Sequence, residues 1–209
     1  MFDSPFVRRT AVSMRLLGVT FEHFNWSVGK DFDRIREYNP LGRVPTLVLD
    51  DGEILIESAA ILDHVDEVAG PERALLPRSG RERRAALRMM AIAIGTVEKG
   101  LAQVQERVFR PAEKRHEPWI ERCRGQMYGG LADLEEICAS RGAGKWLIEN
   151  RITQAEVTTS CVLKYLVEAV PMSPELAQYP RLRDLTSRCE ALPEFRSTYA
   201  PFFAPQTGG

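Results

Sequence analysis

From Arg81 onward the apolar residues of this chain recur every three or four positions, and no stretch keeps the two-residue period of a strand. A segment patterned in this way can bury its stripes only against other helices. Leu87, Ala91, Ile94, Val97, Leu101, Val104 and Val108 predict one long helix, and Trp119, Cys123, Met127, Leu131, Leu134 and Cys138 a second. Gly129 and Gly130 fall inside the second, where each costs about 1 kcal/mol relative to alanine, so a close helix contact is expected there. "ITQAEV" carries two start signals at once. Thr153 with Glu156 fits a capping box, and Ile152 with Val157 fits a hydrophobic staple. The run "VTTSCVLKYLVEAV" then predicts a buried central helix, with smaller helices over "PRLRDLTSRCEAL" and "PEFRSTYAPFF".

The first 70 residues keep a different rhythm. Ser4-Pro5 opens an amphipathic helix through Val7, Ala11, Met14 and Leu17, closed by Gly18. "VTFEHFNW" predicts a strand, and "DFDRIREYNP" a short helical turn halted at Asn39-Pro40. "VPTLVLDDGEILIES" predicts a hairpin, because two β-rich runs flank Asp51-Gly52. "SAAILDHVDEVAG" predicts a helix with Ser58 as its N-cap and Gly70 past its end. The order is (β)αβαββα, with the first strand barely present. A linker rich in proline and glycine follows, so the expected organisation is a small α/β domain over 1–70, a linker over 71–80 and an all-helical domain over 81–209.

Composition excludes several function classes. A formal net charge of −1 gives no general pull toward nucleic acid or anionic lipid. The basic runs "RSGRERRAALR" and "ERCRGQ" have acids nearby and no interleaved aromatics, as solvated helix faces do. No apolar run reaches the roughly 20 residues of a membrane span, and no signal core follows the N-terminus. Cys123, Cys138, Cys161 and Cys189 show no CxxC spacing and read as small core residues, while His23, His64 and His116 are scattered, so no metal site is expected. The expectation is a reduced, cytoplasmic protein.

Three short stretches carry chemistry. Serine followed by proline is a favoured helix start. The same geometry presents unpaired N–H groups and about half a positive charge to an anion, and a thiolate held there would have its pKa lowered. Val44-Pro45 precedes a β run, where proline at the first strand position is tolerated; a cis bond there would expose the backbone of Val44 to a ligand's peptide group. Glu57-Ser58 ends a strand and opens a helix. Ser58 and the neighbouring N–H groups suit a carboxylate, and Glu57 suits an ammonium group, so together they suit the zwitterionic end of an amino acid.

In order and spacing, Ser-Pro at the first helix, "NPLGRVPTL" and "ESAAILDHV" resemble the N-terminal domain of the glutathione S-transferases. The helical remainder is similar in length and layout, so the resemblance covers nearly the whole chain. "SPFVRR" and Lys30 are most similar to the tau and zeta classes and to related bacterial proteins. The resemblance implies a thioredoxin-like N-terminal domain, here with its first strand truncated, followed by an all-α C-terminal domain, and a homodimer. Carried over by position, Ser4 would hydrogen-bond the glutathione sulfur, Lys30 would reach the glycyl carboxylate, and Val44 before a cis Pro45 would pair with the cysteinyl backbone. Glu57 and Ser58 would hold the γ-glutamyl end. Thr153 and Glu156 match the family's capping box, where aspartate is more usual at the second position. Asp3 departs from the pattern by setting a carboxylate beside the thiolate site.

The function implied is that of a glutathione transferase serving detoxification. Glutathione is its co-substrate, and Ser4 stabilises the thiolate for attack on a small hydrophobic electrophile. A cysteine at that position would suggest disulfide exchange, which serine cannot perform. The electrophile is expected between Ser4 and the helix near Val97 to Phe109, with Phe6, Gln103, Arg107 and Arg110 lining its pocket. The alternatives are a non-catalytic binding or scaffold protein on the same fold, or a glutathione-dependent isomerase of the zeta type, whose serine-cysteine motif is absent from "DSPFVRR".

Overall fold

Ser4 and Gly18 set the two ends of the first helix. In the computed structural model, which describes residues 1–142, 144–170 and 175–203, α1 spans Pro5–Leu17. Ser4 sits at the N-cap in extended conformation, and its Oγ accepts from the Val7 N–H at 3.4 Å. Gly18 leaves the helix at φ 71°, a left-handed conformation that residues with side chains rarely adopt, and its N–H closes on the Arg15 and Met14 carbonyls.

Beyond α1 the expected strand over "VTFEHFNW" is not formed. Side chains from Val19 to Phe24 alternate between partly buried and exposed, as in a strand, yet the segment joins no sheet. A strand exists only as one side of a hydrogen-bonded pair, and here the segment lines a cleft of about 890 Å³ together with residues 44–51 and residues of α1. No strand forms ahead of α1 either. Met1–Asp3 make a turn, the Met1 ammonium donates to the Trp26 carbonyl at 3.2 Å, and Phe2 stacks on His23 with ring centroids 3.9 Å apart.

The one sheet among the described residues is the predicted hairpin. β1 (Thr46–Val48) and β2 (Ile54–Ile56) run antiparallel, pairing Thr46 with Ile56, Leu47 with Leu55 and Val48 with Ile54. Gly52 turns it at φ 89°, and Asp51 Oδ1 accepts from the Glu53 N–H at 2.9 Å. A short α2 (Phe32–Arg36) precedes the hairpin, and α3 (Ser58–Ala69) follows it, burying Ile61, Leu62 and Val65 as it packs on α1. Asp66 then accepts from the Leu75 and Leu76 N–H groups at 2.8 and 2.9 Å, and the Leu75 carbonyl accepts from Gln154 at 3.0 Å. These bonds tie the connecting residues to both halves.

The rest is helical, as predicted: α4 (Gly80–Phe109), α5 (Glu117–Ser140), α6 (Gln154–Ala169), α7 (Pro180–Glu190) and α8 (Pro193–Arg196). No helix among the described residues is long and apolar enough to cross a membrane. α6 is buried at every residue from Gln154 to Leu163 and lies against α1, α4 and α7. Its capping box is formed. Thr153 Oγ1 accepts from Ala155, and Glu156 accepts from the backbone N–H groups of Thr153 and Leu147 at 2.9 and 2.7 Å. Burial pushes the Glu156 carboxyl above its ordinary range, against the pull of these donors.

The inward stripe of α4 differs from the one the spacing predicts. Leu87 is exposed, and the buried positions are Ala86, Met89, Ala93, Thr96, Val97, Gly100, Gln103 and Val104. Small residues at three of these positions let α5 and α6 approach more closely than a stripe of leucines would allow. A Cβ at Gly100 would overlap the Leu166 side chain, and one at Gly130 would overlap Thr96. The close contact expected at the glycine pair is therefore made by Gly130, with Gly129 facing open space.

Gly130→Ala is expected to lower stability by about 1–3 kcal/mol, because the Thr96 that must move is buried and bonded to the Ile92 carbonyl at 2.7 Å. Gly129→Ala is expected to raise stability by up to about 1 kcal/mol. Urea unfolding of the two variants side by side checks the pair.

Candidate functional site

Ser4, Glu57 and Ser58 stand where helices begin, and Val44 stands in the loop before β1. Two arginines tie these elements together. Arg9, a little over one turn into α1, donates from Nε and Nη2 to Ser58 Oγ at 3.1 and 2.8 Å. Arg43 pairs with Glu57 at 3.1 Å, an exposed ion pair. Such a pair contributes at most about 1 kcal/mol, so it holds the Glu57 carboxylate only weakly.

Ser58 is not the N-cap that its position after a strand suggests. It is the first residue of α3, and Glu57 occupies the cap position without a side-chain cap bond. The physical reason is the guanidinium of Arg9, which engages the hydroxyl that would otherwise turn to the helix backbone. Glu57 itself holds φ 70° and ψ 130°, outside the ordinary regions for a side-chain-bearing residue. Such backbone costs about 1–3 kcal/mol and collects at binding sites.

The Val44-Pro45 peptide bond is cis. The Val44 N–H and C=O have no hydrogen-bond partner among the described residues. The loop that presents them is braced by Asn39, which is buried. Asn39 Nδ2 donates to the Arg43 carbonyl at 2.9 Å and to Thr46 Oγ1 at 3.3 Å, and its Oδ1 accepts from Leu41 at 3.0 Å.

The remaining expected residues are placed differently. Lys30 is exposed, with its ammonium 5.9 Å from the Phe203 ring, and no contact among the described residues brings it to Val44, Glu57 or Ser58. Phe6 is partly buried against the larger core. Gln103 corrects the pocket expectation: it is fully buried, donating to the Lys99 carbonyl and to Met127 Sδ, so it lines the α4–α5 contact and no open pocket. Arg110 pairs with Glu106 at 2.9 Å, and the Arg107 carbonyl accepts from Arg115 at 2.7 Å, near the end of α4. Burial first, and the charge of Asp3 second, raise the Tyr165 phenol above its ordinary range.

Arg9 and Asn39 carry the geometry of the site, and sequence reasoning passed over both. Asn39 reads as a helix stop before proline. Arg9 lies beside Arg8 among the apolar residues of an amphipathic helix, and two adjacent arginines there are the signal that marks them.

The matches to known proteins settle the family. Residues 1–73 match the glutathione S-transferase N-terminal domain, and residues 99–193 match the glutathione S-transferase C-terminal domain. The chain belongs to the glutathione S-transferase family. It is 30% identical over 165 residues to the GST-like protein YibF of Escherichia coli (strain K12), covering 79% of each. It is 29% identical over 208 residues to maleylacetoacetate isomerase of Pseudomonas aeruginosa, covering 95% of this chain and 92% of that one. Among solved structures, it superposes with a TM-score of 0.86 on a glutathione S-transferase of Methylobacterium radiotolerans in complex with glutathione sulfonate. That pair is 28% identical, covering 99% of this chain and 96% of that one. The thioredoxin-like and helical halves of this glutathione S-transferase family member therefore follow the layout that the sequence implies.

Asn39→Ala is expected to cost about 2–3 kcal/mol, since the Leu41 N–H and two acceptors lose a buried partner. Amide hydrogen exchange is expected to speed up over residues 41–47, and unchanged exchange there would remove Asn39 from the site's support.

Proposed function

We propose that this chain is a glutathione-dependent enzyme in which Ser4 stabilises the thiolate of glutathione for attack on a small hydrophobic electrophile. The observation that carries the reading is the state of the Ser4 hydroxyl. Among the described residues its oxygen accepts only one long bond, from Val7 at 3.4 Å, so its proton is left to donate to a sulfur anion at the head of α1. The helix dipole acts in the same direction.

The rest of the tripeptide follows from the elements already placed. The unengaged backbone of Val44 pairs with the cysteinyl main chain, Glu57 receives the ammonium group and the start of α3 receives the γ-glutamyl carboxylate. Lys30 answers the glycyl carboxylate after leaving the Phe203 ring, a cation–π contact of roughly 0.5–1 kcal/mol at an exposed site. In the transferase reaction the sulfur lone pair forms the new C–S bond while the electrophile's leaving group departs with its electron pair, and proximity supplies most of the acceleration. Phe6, Arg107 and Arg110 remain the proposed contacts for the electrophile. The working form proposed is a cytoplasmic homodimer.

A second reading is glutathione-dependent isomerisation, favoured by the likeness to maleylacetoacetate isomerase along nearly the full length of both chains. There the thiolate adds to a cis double bond, rotation follows, and elimination returns the thiolate with the trans product. The chemistry at Ser4 is the same, so the two readings separate only by substrate.

Calorimetry with glutathione, paired with ultraviolet titration of the bound thiol, tests the proposal. The thiol pKa is expected to fall by roughly 1–2 units on binding, with the drop lost in Ser4→Ala. Binding with an unshifted thiol in both proteins would reduce Ser4 to a helix cap, and no binding would favour a scaffold role. Turnover of a halonitroarene against a cis-enedione then decides between transfer and isomerisation.

A further inference from the structure

Arg8 and Arg9 are adjacent on α1 and both buried, yet their charges are answered differently. Arg8 meets Glu190 through both Nη atoms at 2.7 Å. Arg9 has no carboxylate within ion-pair distance among the described residues. Its acceptors are two hydroxyls, Ser58 Oγ and Thr158 Oγ1, the latter at 3.2 Å. A guanidinium in such surroundings is held at a cost that a carboxylate normally offsets. Burial lowers its pKa to about 10, so it stays charged at neutral pH. The neighbouring Cys161 thiol, pushed up to about 12 by burial, is neutral there and supplies no counter-charge. Glu57 is an exposed carboxylate already paired with Arg43.

The hydrogen-bond inventory at the head of α3 is one-sided. A serine hydroxyl has two acceptor positions and one proton. Nε and Nη2 of Arg9 take both acceptor positions of Ser58 Oγ. Its proton is thereby directed away from Arg9. The first backbone bond of α3 runs from Ile61 to the Glu57 carbonyl at 3.1 Å, and the N–H groups of Ser58, Ala59 and Ala60 have no acceptor among the described residues. Every group here donates, with an unneutralised buried cation behind them.

We propose that Arg9 is the positioning residue of the γ-glutamyl carboxylate subsite, locking Ser58 as a hydrogen-bond donor and supplying the buried positive charge that selects an anion. This deepens the glutathione reading and rests on it. It also fixes the direction in which the zwitterion binds. A Ser58 held as donor cannot receive an ammonium group, so the carboxylate goes to α3 and the ammonium group to Glu57.

The test uses two probes, glutathione and its analogue in which the γ-glutamyl α-carboxyl is a primary amide, with binding measured by calorimetry. The wild type is expected to favour glutathione by roughly 10- to 100-fold. Arg9→Gln is expected to weaken glutathione by about tenfold or more while moving the amide's affinity less than about twofold, and Arg9→Lys to recover part of the preference. A loss shared equally by both probes would show a purely structural role and overturn the proposal. Unchanged glutathione affinity in Arg9→Gln would overturn it as well. Should Arg9→Gln fail to fold, the wild type alone decides, because equal affinity for the two probes is incompatible with a charge-selected subsite. A wild type that binds neither probe overturns the glutathione reading itself, and this proposal with it.

Discussion

Helix α1 is covered by α3 on one side and by α6 on another, and Arg8 and Arg9 lie on its buried faces, where water does not reach their charges. Arg8 is tolerated there because its fork meets both oxygens of Glu190 and because Nε and Nη2 also bond the Thr198 and Phe195 carbonyls at 3.2 and 3.1 Å. Removing one partner of such a buried pair typically costs 3–5 kcal/mol. The consequences run outward from this contact. It anchors α7 and α8 to α1, α1 positions Arg9, and Arg9 reaches Ser58 in one half of the molecule and Thr158 in the other. The geometry of the site thus depends on packing between the two halves as well as on the small sheet.

What the sequence made legible was local. The Ser-Pro start of α1, the Asp51-Gly52 turn and the Thr153–Glu156 box each involve residues within a few positions of one another, and each was found as read. The errors arose where a distant partner decides. "VTFEHFNW" has strand composition and strand alternation, but a ladder needs a second chain segment to pair with, and none pairs with it among the described residues. Ser58 looks like a cap until Arg9, distant in sequence, takes its oxygen. The stripe on α4 shifted because close packing selects the smallest side chains, and periodicity weighs only hydrophobicity. Gln103 was read as a polar pocket residue for the same reason, since one sequence cannot show that Met127 faces it.

The protein's own thiols stand apart from the chemistry proposed at Ser4. All four cysteines are free and buried, and burial raises Cys138, Cys161 and Cys189 to about 12. At neutral pH they are protonated and poor nucleophiles. A reactive sulfur at this site therefore has to arrive with the ligand, which agrees with a hydroxyl, and not a thiol, at the head of α1. The same arrangement keeps the chain's cysteines out of exchange with the thiol it is proposed to activate.

The cleft between residues 19–26 and the hairpin has an energetic meaning beyond its shape. Amides from Thr20 to Asn25 have no protein acceptor among the described residues. Backbone in that condition contributes little to cooperativity, and such segments open at a free energy well below that of global unfolding. The helical half, with its interdigitated α4, α5 and α6, carries the high-stability end of the distribution. The elements proposed to bind glutathione lie on the boundary between the two regimes. A tripeptide that bridges Val44, Glu57 and the head of α1 would therefore act as a missing crosslink, and its occupancy would set how often the smaller half opens.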